Sequence, residues 1–199
     1  GGTVAAALLR RDPQLREVST DPREAGLCHR LDIETSGVIL AAKTREAWLA
    51  MRAAFSADGD IDKRYLALVT GPLADSGDIE LPLAHRGDHV RPALPHEEAR
   101  PASSSFQVLA RAAEFSFVEV RIFTGVLHQV RAHLAAVGAP IVGDTQYGGR
   151  AFEGLQRFFL HAASLTVTHP NTGRQLTVKS ALPDELEAAL ARAIPGWRP

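Results

Sequence analysis

Cysteine is nearly absent: Cys28 is the only one in 199 residues. A single thiol excludes an internal disulfide framework and is consistent with a reducing compartment. No apolar run is long enough to span a bilayer, and the N-terminus lacks the basic-then-apolar form of a signal peptide. Those absences read as a cytoplasmic protein with no membrane association. Neither sign of charge is in excess: 22 Lys and Arg stand against 23 Asp and Glu, for a net charge of −1. A chain that grips many phosphates is usually basic overall, so composition lends no support to nucleic-acid binding, although a neutral protein can carry one basic face. No glycine-rich phosphate loop is present. His85, His89 and His96 share a loop without an HExxH form or paired cysteines, and no metal is expected there. Repeats, low-complexity stretches and linkers are missing too.

What remains is an ordinary globular composition, 45% hydrophobic and 23% charged, in a length that suits one large domain, 1–199. Gly1-Gly2 reads as a loop or a cloning remnant. Thr3 can cap a short helix over 4–9. Residues 11–25 read as a loop with Asp12-Pro13 and Asp21-Pro22 as turns. The run 38–42 reads as a buried strand. Thr44 caps a helix over 45–56 with Trp48, Met51 and Phe55 on its buried face, ended by Asp58-Gly59. A strand over 63–69 stops at Gly71-Pro72. Residues 73–98 look irregular. Strands at 105–109 and 116–122 pair, with Val118, Val120 and Ile122 on one face. Thr124-Gly125 opens a helix over 127–137 whose buried stripe is Leu127, Val130, Leu134 and Val137, ended by Gly138. A short piece at 140–144 and a loop at Tyr147-Gly148-Gly149 follow. Strands 160–168 and 175–178 form a hairpin around Pro170-Asn171-Thr172-Gly173. Pro183 starts a closing helix over 184–192. The pattern is α+β, a mixed and mostly antiparallel sheet with helices on it.

The chemistry concentrates in His29-Arg30-Leu31-Asp32-Ile33-Glu34-Thr35-Ser36-Gly37. A carboxylate at the mouth of a buried strand needs a partner, because an unpaired buried charge is costly. Arg131, about a hundred residues further on, is the candidate cation. Each residue alone has an ordinary explanation. Asp32 could cap a turn, Arg30 could be solvated, and Tyr65 could be strand packing. Arg131, lying off the helix stripe, could form a weak surface pair. His128 and His133, on the polar side, could be solvated. Cys28 suits packing better than nucleophilic chemistry.

The ordered set is more specific. His29-Arg30-Leu31-Asp32 with Thr35-Ser36-Gly37, Lys63-Arg64-Tyr65-Leu66, Thr124-Gly125 with His128-Gln129-Val130-Arg131-Ala132-His133, Pro140-Ile141-Val142-Gly143-Asp144 with Tyr147-Gly148, Leu160-His161-Ala162 and His169-Pro170 follow one another at plausible spacings. From about residue 26 to about residue 183 the chain resembles the RluA family of RNA pseudouridine synthases. The resemblance implies the catalytic fold of that family, with a bent sheet and a central active-site cleft. It implies a monomer that isomerises uridine in structured rRNA or tRNA, the target base flipped out. It makes Asp32 the catalytic nucleophile and Tyr65 the ring that stacks on the base and a candidate for handling its C5 proton. Arg131 becomes the partner of the carboxylate, and Arg30 the residue that helps displace the extruded base. His29, Thr35, Lys63, His128, Gln129 and His133 join Arg30 as RNA-binding candidates.

The residue types suit the reaction. The C1′–N1 bond breaks, the uracil turns, and C5 joins C1′. No redox step or group carrier is involved, so no cofactor is implied. A bidentate arginine favours the ionised carboxylate, the base must leave its stack to be reached, and an aromatic ring offers a platform worth about 1–3 kcal/mol per base. Attack of Asp32 at C1′, attack on the base, and an elimination all fit. Val126 and Ile33 stand where the family usually carries basic or polar residues, which removes charge from the expected RNA face. The family's N-terminal strands with an Asn-Lys-Pro-type segment, and an S4 domain, are not in this sequence. Target choice is expected from the 73–98 region. A second reading is a shortened, charge-depleted relative that binds or remodels RNA without modifying it, and a third is a folded domain that no longer meets RNA.

Overall fold

Short polar side chains start the first elements. The computed structural model describes residues 2–57 and 61–197. Thr3 caps α1 (Val4–Arg11), its hydroxyl accepting from the Ala6 N–H at 3.1 Å and satisfying a donor the helix cannot. Asp12 and Asp21 do the same for two 3-10 turns, Pro13–Glu17 and Pro22–Glu24, each with its proline at the start. The 11–25 segment is therefore a pair of capped turns rather than an open loop. Thr44 caps α2 (Arg45–Ser56), which buries Trp48 and Met51. The expected stop at Asp58-Gly59 lies outside the described residues.

The sheet is the frame for the site. Its strands are β1 (Ser36–Gly37), β2 (Asp62–Thr70), β3 (Ser76–Glu80), β6 (Ser103–Ala112), β7 (Phe115–Ile122), β8 (Leu160–Thr168) and β9 (Gln175–Lys179). The order is β1-β8-β2-β7-β6-β3, with β9 on the same edge of β8 as β1. Among the described residues only β1 and β8 run parallel, so the mixed, mostly antiparallel expectation holds. β4 (Leu83–Arg86) and β5 (His89–Pro92) form a separate hairpin. Two helices complete the chain, α3 (Gln129–Ala136) and α4 (Asp184–Ala193).

The largest core lies between the sheet and α3 and α4. Phe117 and Phe159 meet edge to face at its centre, both fully buried, each stabilising the fold by about 1.5–3 kcal/mol over exposure. Leu186, Ala189, Leu190 and Ala193 form the buried stripe of α4. A second core gathers Leu15, Val18, Trp48 and Met51 against Leu165 and Val167 of β8. A third, small one lies under the hairpin: Leu83, Val90, Ala102, Val126 and Ala132.

Three expectations change. Residues 38–42 form no regular strand. Val38 donates to the Ala162 carbonyl of β8 and Ala42 to that of Gly26, and a lone bridge joins Leu27 and Ala41, so the run divides its bonds between two neighbours and forms no ladder with either. Residues 73–98 hold β3, β4 and β5, strands too short to carry a periodic signal. Finally, α3 has no polar side: Gln129, Arg131 and His133 are as buried as Val130 and Leu134, while Val137 is exposed.

Candidate active site

Asp32 sits at the start of a turn that is pinned on both flanks. The Asp32 carbonyl accepts from Thr35 N–H at 2.9 Å. Beyond it, the Ser36 hydroxyl meets His161 Nδ1 at 2.8 Å and accepts from Arg157 Nη2 at 2.9 Å, and the Glu34 carboxylate accepts from Phe158 N–H at 3.2 Å. Gly37 (φ 117) lies so close to β8 that a Cβ would stand 2.1 Å from the Ala162 oxygen, so only glycine lets the loop approach this closely. On the other flank His29 stacks on Phe55 at 4.5 Å and its Nε2 accepts from Leu40 N–H at 2.9 Å. Burial, chiefly, takes His29 down to about 4, against a backbone bond from Arg30 that favours its charge and with the Lys63 charge disfavouring it. His29 is thus a neutral brace for the loop.

Arg131 reaches Asp32 from α3. Its Nη1 lies 3.3 Å from Asp32 Oδ2. Its shorter bonds go elsewhere: Nε to Asp144 Oδ2 at 2.6 Å, Nη2 to Asp144 Oδ1 at 2.9 Å, and Nη2 to Gln146 Oε1 at 2.8 Å. The guanidinium lies over the rings of Phe158, at 4.4 Å, and of Tyr147, at 4.8 Å. Burial works against its charge, but the bonds and charge of Asp144, with the charge of Asp32, outweigh this and raise its pKa. A cation so fully held presents one fixed N–H to Asp32. The contact expected between Asp32 and Arg131 is present, yet Arg131 is no surface residue: it is 5% exposed and its main partner is Asp144.

Tyr65 comes from β2 at a bulge. The β2–β8 register shifts between Arg64 and Tyr65, so that Arg64 faces Ser164 and Tyr65 faces Ala162. Bulges re-aim side chains beside functional sites, and Tyr65 lines the same cleft as Asp32. Burial, followed by the Asp32 charge, pushes its phenol well above its usual range, so the ring is neutral at physiological pH. His128 takes the left-handed conformation (φ 51) ahead of α3, a strain of about 1–3 kcal/mol for a residue with a side chain. Its Nε2 lies 3.8 Å from Asp32 Oδ1, and its Nδ1 is 3.1 Å from the Tyr147 hydroxyl.

The cleft these residues line has a volume of about 760 Å³. Arg30, Thr35 and Lys63 also line it. The Thr35 hydroxyl oxygen is buried with no hydrogen-bond partner among the described residues, and the Lys63 ammonium donates to the Thr124 carbonyl at 3.2 Å. Two expected RNA contacts turn out to be buried. Gln129, 2% exposed, spends its amide on Val126 N–H, the Thr124 hydroxyl, the Ser103 carbonyl and the Ser104 hydroxyl. His133, fully buried, is held by the Ser104 hydroxyl and the Leu81 carbonyl. Both brace α3 against β6 from within; His133 has no surface to offer RNA, whereas Gln129 still borders the cleft. Val126, 8% exposed, belongs to the core under the hairpin and also lines the cleft, whereas Ile33 is wholly exposed. Cys28 is buried with its thiol pushed up, chiefly by burial, as packing requires. Among the described residues no three histidine, cysteine or acidic side chains converge as a metal site would need. No described helix is long and apolar enough to cross a membrane.

Asp144, Gln146 and Tyr147 went unassigned at the level of sequence. The signal was there for Asp144: an acid closing the apolar run Ile141-Val142-Gly143 is an acid that will be buried and will need a cation.

A model of the RNA pseudouridylate synthase family matches residues 5–136. The chain belongs to that family. The ribosomal large subunit pseudouridine synthase D of Xanthomonas campestris pv. campestris is 35% identical over 204 residues, spanning 96% of this chain and 60% of that protein. Its namesake from Nitrosomonas europaea is 36% identical, over 97% of this chain and 57% of the other. The chain thus spans about three-fifths of the length of these relatives. Among solved structures, Human RNA Pseudouridylate Synthase Domain Containing 4 superposes with a TM-score of 0.72 at 25% identity, over 84% of this chain and 75% of that one. Human RNA Pseudouridylate Synthase Domain Containing 1, at 0.69 and 23% identity over 87% and 78%, has the same fold. The RluA-family resemblance and the α+β synthase fold both hold.

Proposed function

We propose that this chain isomerises uridine to pseudouridine in structured RNA, with Asp32 as the nucleophile, and that its substrate is ribosomal. The observation that carries the reading is the convergence of Asp32, Arg131 and Tyr65, from a loop, a helix and a strand far apart in sequence, on one cleft. Arg131 presents a fixed N–H to Asp32 without having to move, because Asp144, Gln146 and two rings already hold it; such preorganised charge stabilises a developing transition state at little reorganisation cost. Tyr65, kept neutral, suits stacking on the flipped uracil. A protonated phenol is a poor proton acceptor, which argues against Tyr65 as the base that removes the C5 proton. The isomerisation conserves every atom of the nucleoside: the C1′–N1 bond is lost, C5–C1′ is gained, the C5 proton leaves and N1 takes one up. Arg30, Lys63 and Thr35 at the cleft are the RNA contacts in this reading, with a monomer acting in the cytoplasm.

The first experiment is pseudouridine mapping on total RNA from cells lacking the gene, incubated with the protein and, in parallel, with Asp32→Asn. The expected result is a new pseudouridine in large-subunit rRNA that the Asp32→Asn protein fails to make, by at least about 10³-fold, while it binds the same RNA. Turnover by Asp32→Asn would remove Asp32 from its role. RNA binding without product would favour the binding-only reading.

A further inference from the structure

His128 combines three features that packing alone does not require. It carries a strained left-handed backbone, it lines the cleft, and its two ring nitrogens face two different functional groups. Strain of this kind persists where the surroundings impose it, and it clusters at working sites. The surroundings here form a chain of hydrogen bonds. The Val90 N–H donates to the Tyr147 hydroxyl oxygen at 3.0 Å. With that lone pair engaged, the Tyr147 O–H is free to donate to His128 Nδ1, 3.1 Å away. A neutral imidazole that accepts at Nδ1 carries its proton on Nε2, and Nε2 is the atom that faces Asp32 Oδ1 at 3.8 Å.

We infer that His128 is a positioning residue for Asp32: a neutral Nε2–H donor, its tautomer set by Tyr147, that holds the carboxylate oxygen Arg131 does not reach. The inference rests on the reading of Asp32 as nucleophile. Arg131 binds only Oδ2 of Asp32, and a carboxylate held by one oxygen still turns about its last side-chain bond, a soft torsion. A second donor at Oδ1 fixes the plane. A neutral donor does so without adding a second full positive charge that would blunt the nucleophile. Burial, chiefly, keeps His128 in that neutral form by lowering its pKa against the pull of the Asp32 charge. The separation of 3.8 Å exceeds a hydrogen bond, so the contact closes when substrate fills the cleft, as catalytic bonds often do on substrate binding.

The test pairs a spectroscopic measurement with kinetics. The ¹⁵N resonances of the His128 ring in the whole protein, without RNA, are expected to show the proton on Nε2, and Tyr147→Phe is expected to shift the ring toward a mixture of tautomers. A proton on Nδ1 in the wild type would overturn the proposal whether or not the protein turns over RNA. His128→Asn tolerates the left-handed backbone but cannot reach Asp32. On unmodified large-subunit rRNA transcript it is expected to keep KM within twofold and to lose kcat 10- to 100-fold, with an unchanged melting temperature. Tyr147→Phe keeps its ring over Arg131 and is expected to lose three- to tenfold in kcat. Wild-type kcat in His128→Asn would overturn the proposal, and so would a loss expressed only in KM. A wild-type protein silent on every RNA would instead reject the enzymatic reading, leaving the ring spectrum to decide the tautomer on its own.

Discussion

Arg131 holds Asp144 more tightly than it holds Asp32, at 2.6 and 2.9 Å against 3.3 Å. The two carboxylates divide the work. Asp144, 1% exposed, holds and aims the guanidinium, while Asp32 faces the cleft, where the proposed chemistry needs it.

Asp144→Ala should therefore cost both stability and activity. It leaves a buried guanidinium without its main partner, which costs about 3–5 kcal/mol when a buried pair is broken. Chemical denaturation should show that loss, and kcat should fall with it because the N–H facing Asp32 is no longer fixed. The double variant Asp144→Ala with Arg131→Met should be more stable than Asp144→Ala alone, because the uncompensated charge is gone, yet remain inactive. A double variant less stable than Asp144→Ala would contradict this account.

Much of this arrangement was legible in the sequence where a periodic pattern met a local stop. The helix from Arg45, the strand through Tyr65 and the pair β6 and β7 are cases where capping, alternation and turn residues agree. The α3 prediction failed for a physical reason. A stripe of Leu127, Val130, Leu134 and Val137 assumes that the far side of the helix meets water, but the β4–β5 hairpin covers it, and Gln129, Arg131 and His133 are buried with internal partners. Polar residues with satisfied bonds carry no mark in the sequence that separates them from solvated ones. The short strands of 73–98 escaped for lack of length. The pairing of Asp32 with Arg131 could be posed from the cost of an unpaired charge, and the same cost marks Asp144 as needing a cation, but that both acids share Arg131 emerges only from the fold.

Gly37 should be intolerant of any side chain. Its positive φ costs a non-glycine residue about 1–3 kcal/mol, and the Cβ would meet backbone, not a yielding side chain. Gly37→Ala is expected to lower stability by more than that and to displace the Asp32 turn, so that kcat falls even at temperatures where the variant is folded. A folded Gly37→Ala protein with wild-type kcat would show that the β1–β8 contact does not position Asp32.

Mild acid should destabilise the protein through His29. Its folded-state pKa of about 4 lies below the ordinary histidine value of 6.5, so the unfolded chain binds the extra proton between those two values. Stability is then complete above pH 6.5 and is lost as pH falls toward 4, by up to about 3 kcal/mol from this group. His128, His133 and His161 are lowered too, mainly by burial, and act with the same sign. Unfolding free energies measured between pH 7 and pH 5 should fall steadily, and His29→Gln should flatten that slope. An unchanged slope would mean that His29 is not held neutral in the fold.

The last prediction concerns the RNA itself. With a net charge of −1, attraction to phosphate has to be local, and the cations that line the cleft include Arg30, Arg52, Lys63 and Arg100, while Ile33 stands fully exposed beside Asp32 with 104% of its reference surface in solvent. Arg52 and Arg100 are exposed, so their loss should leave the fold intact. If each neutralises one phosphate, the slope of log binding constant against log salt should shrink by about 0.7–0.9 for each arginine changed to glutamine. Ile33→Lys should steepen it by a similar amount and tighten binding at low salt. Binding of a large-subunit rRNA transcript, titrated with salt for the three variants, checks both directions at once. Slopes that stay at the wild-type value in Arg52→Gln and Arg100→Gln would move the phosphate track off this rim. A steeper slope in Ile33→Lys alone would then place the backbone on the Asp32 side of the cleft only.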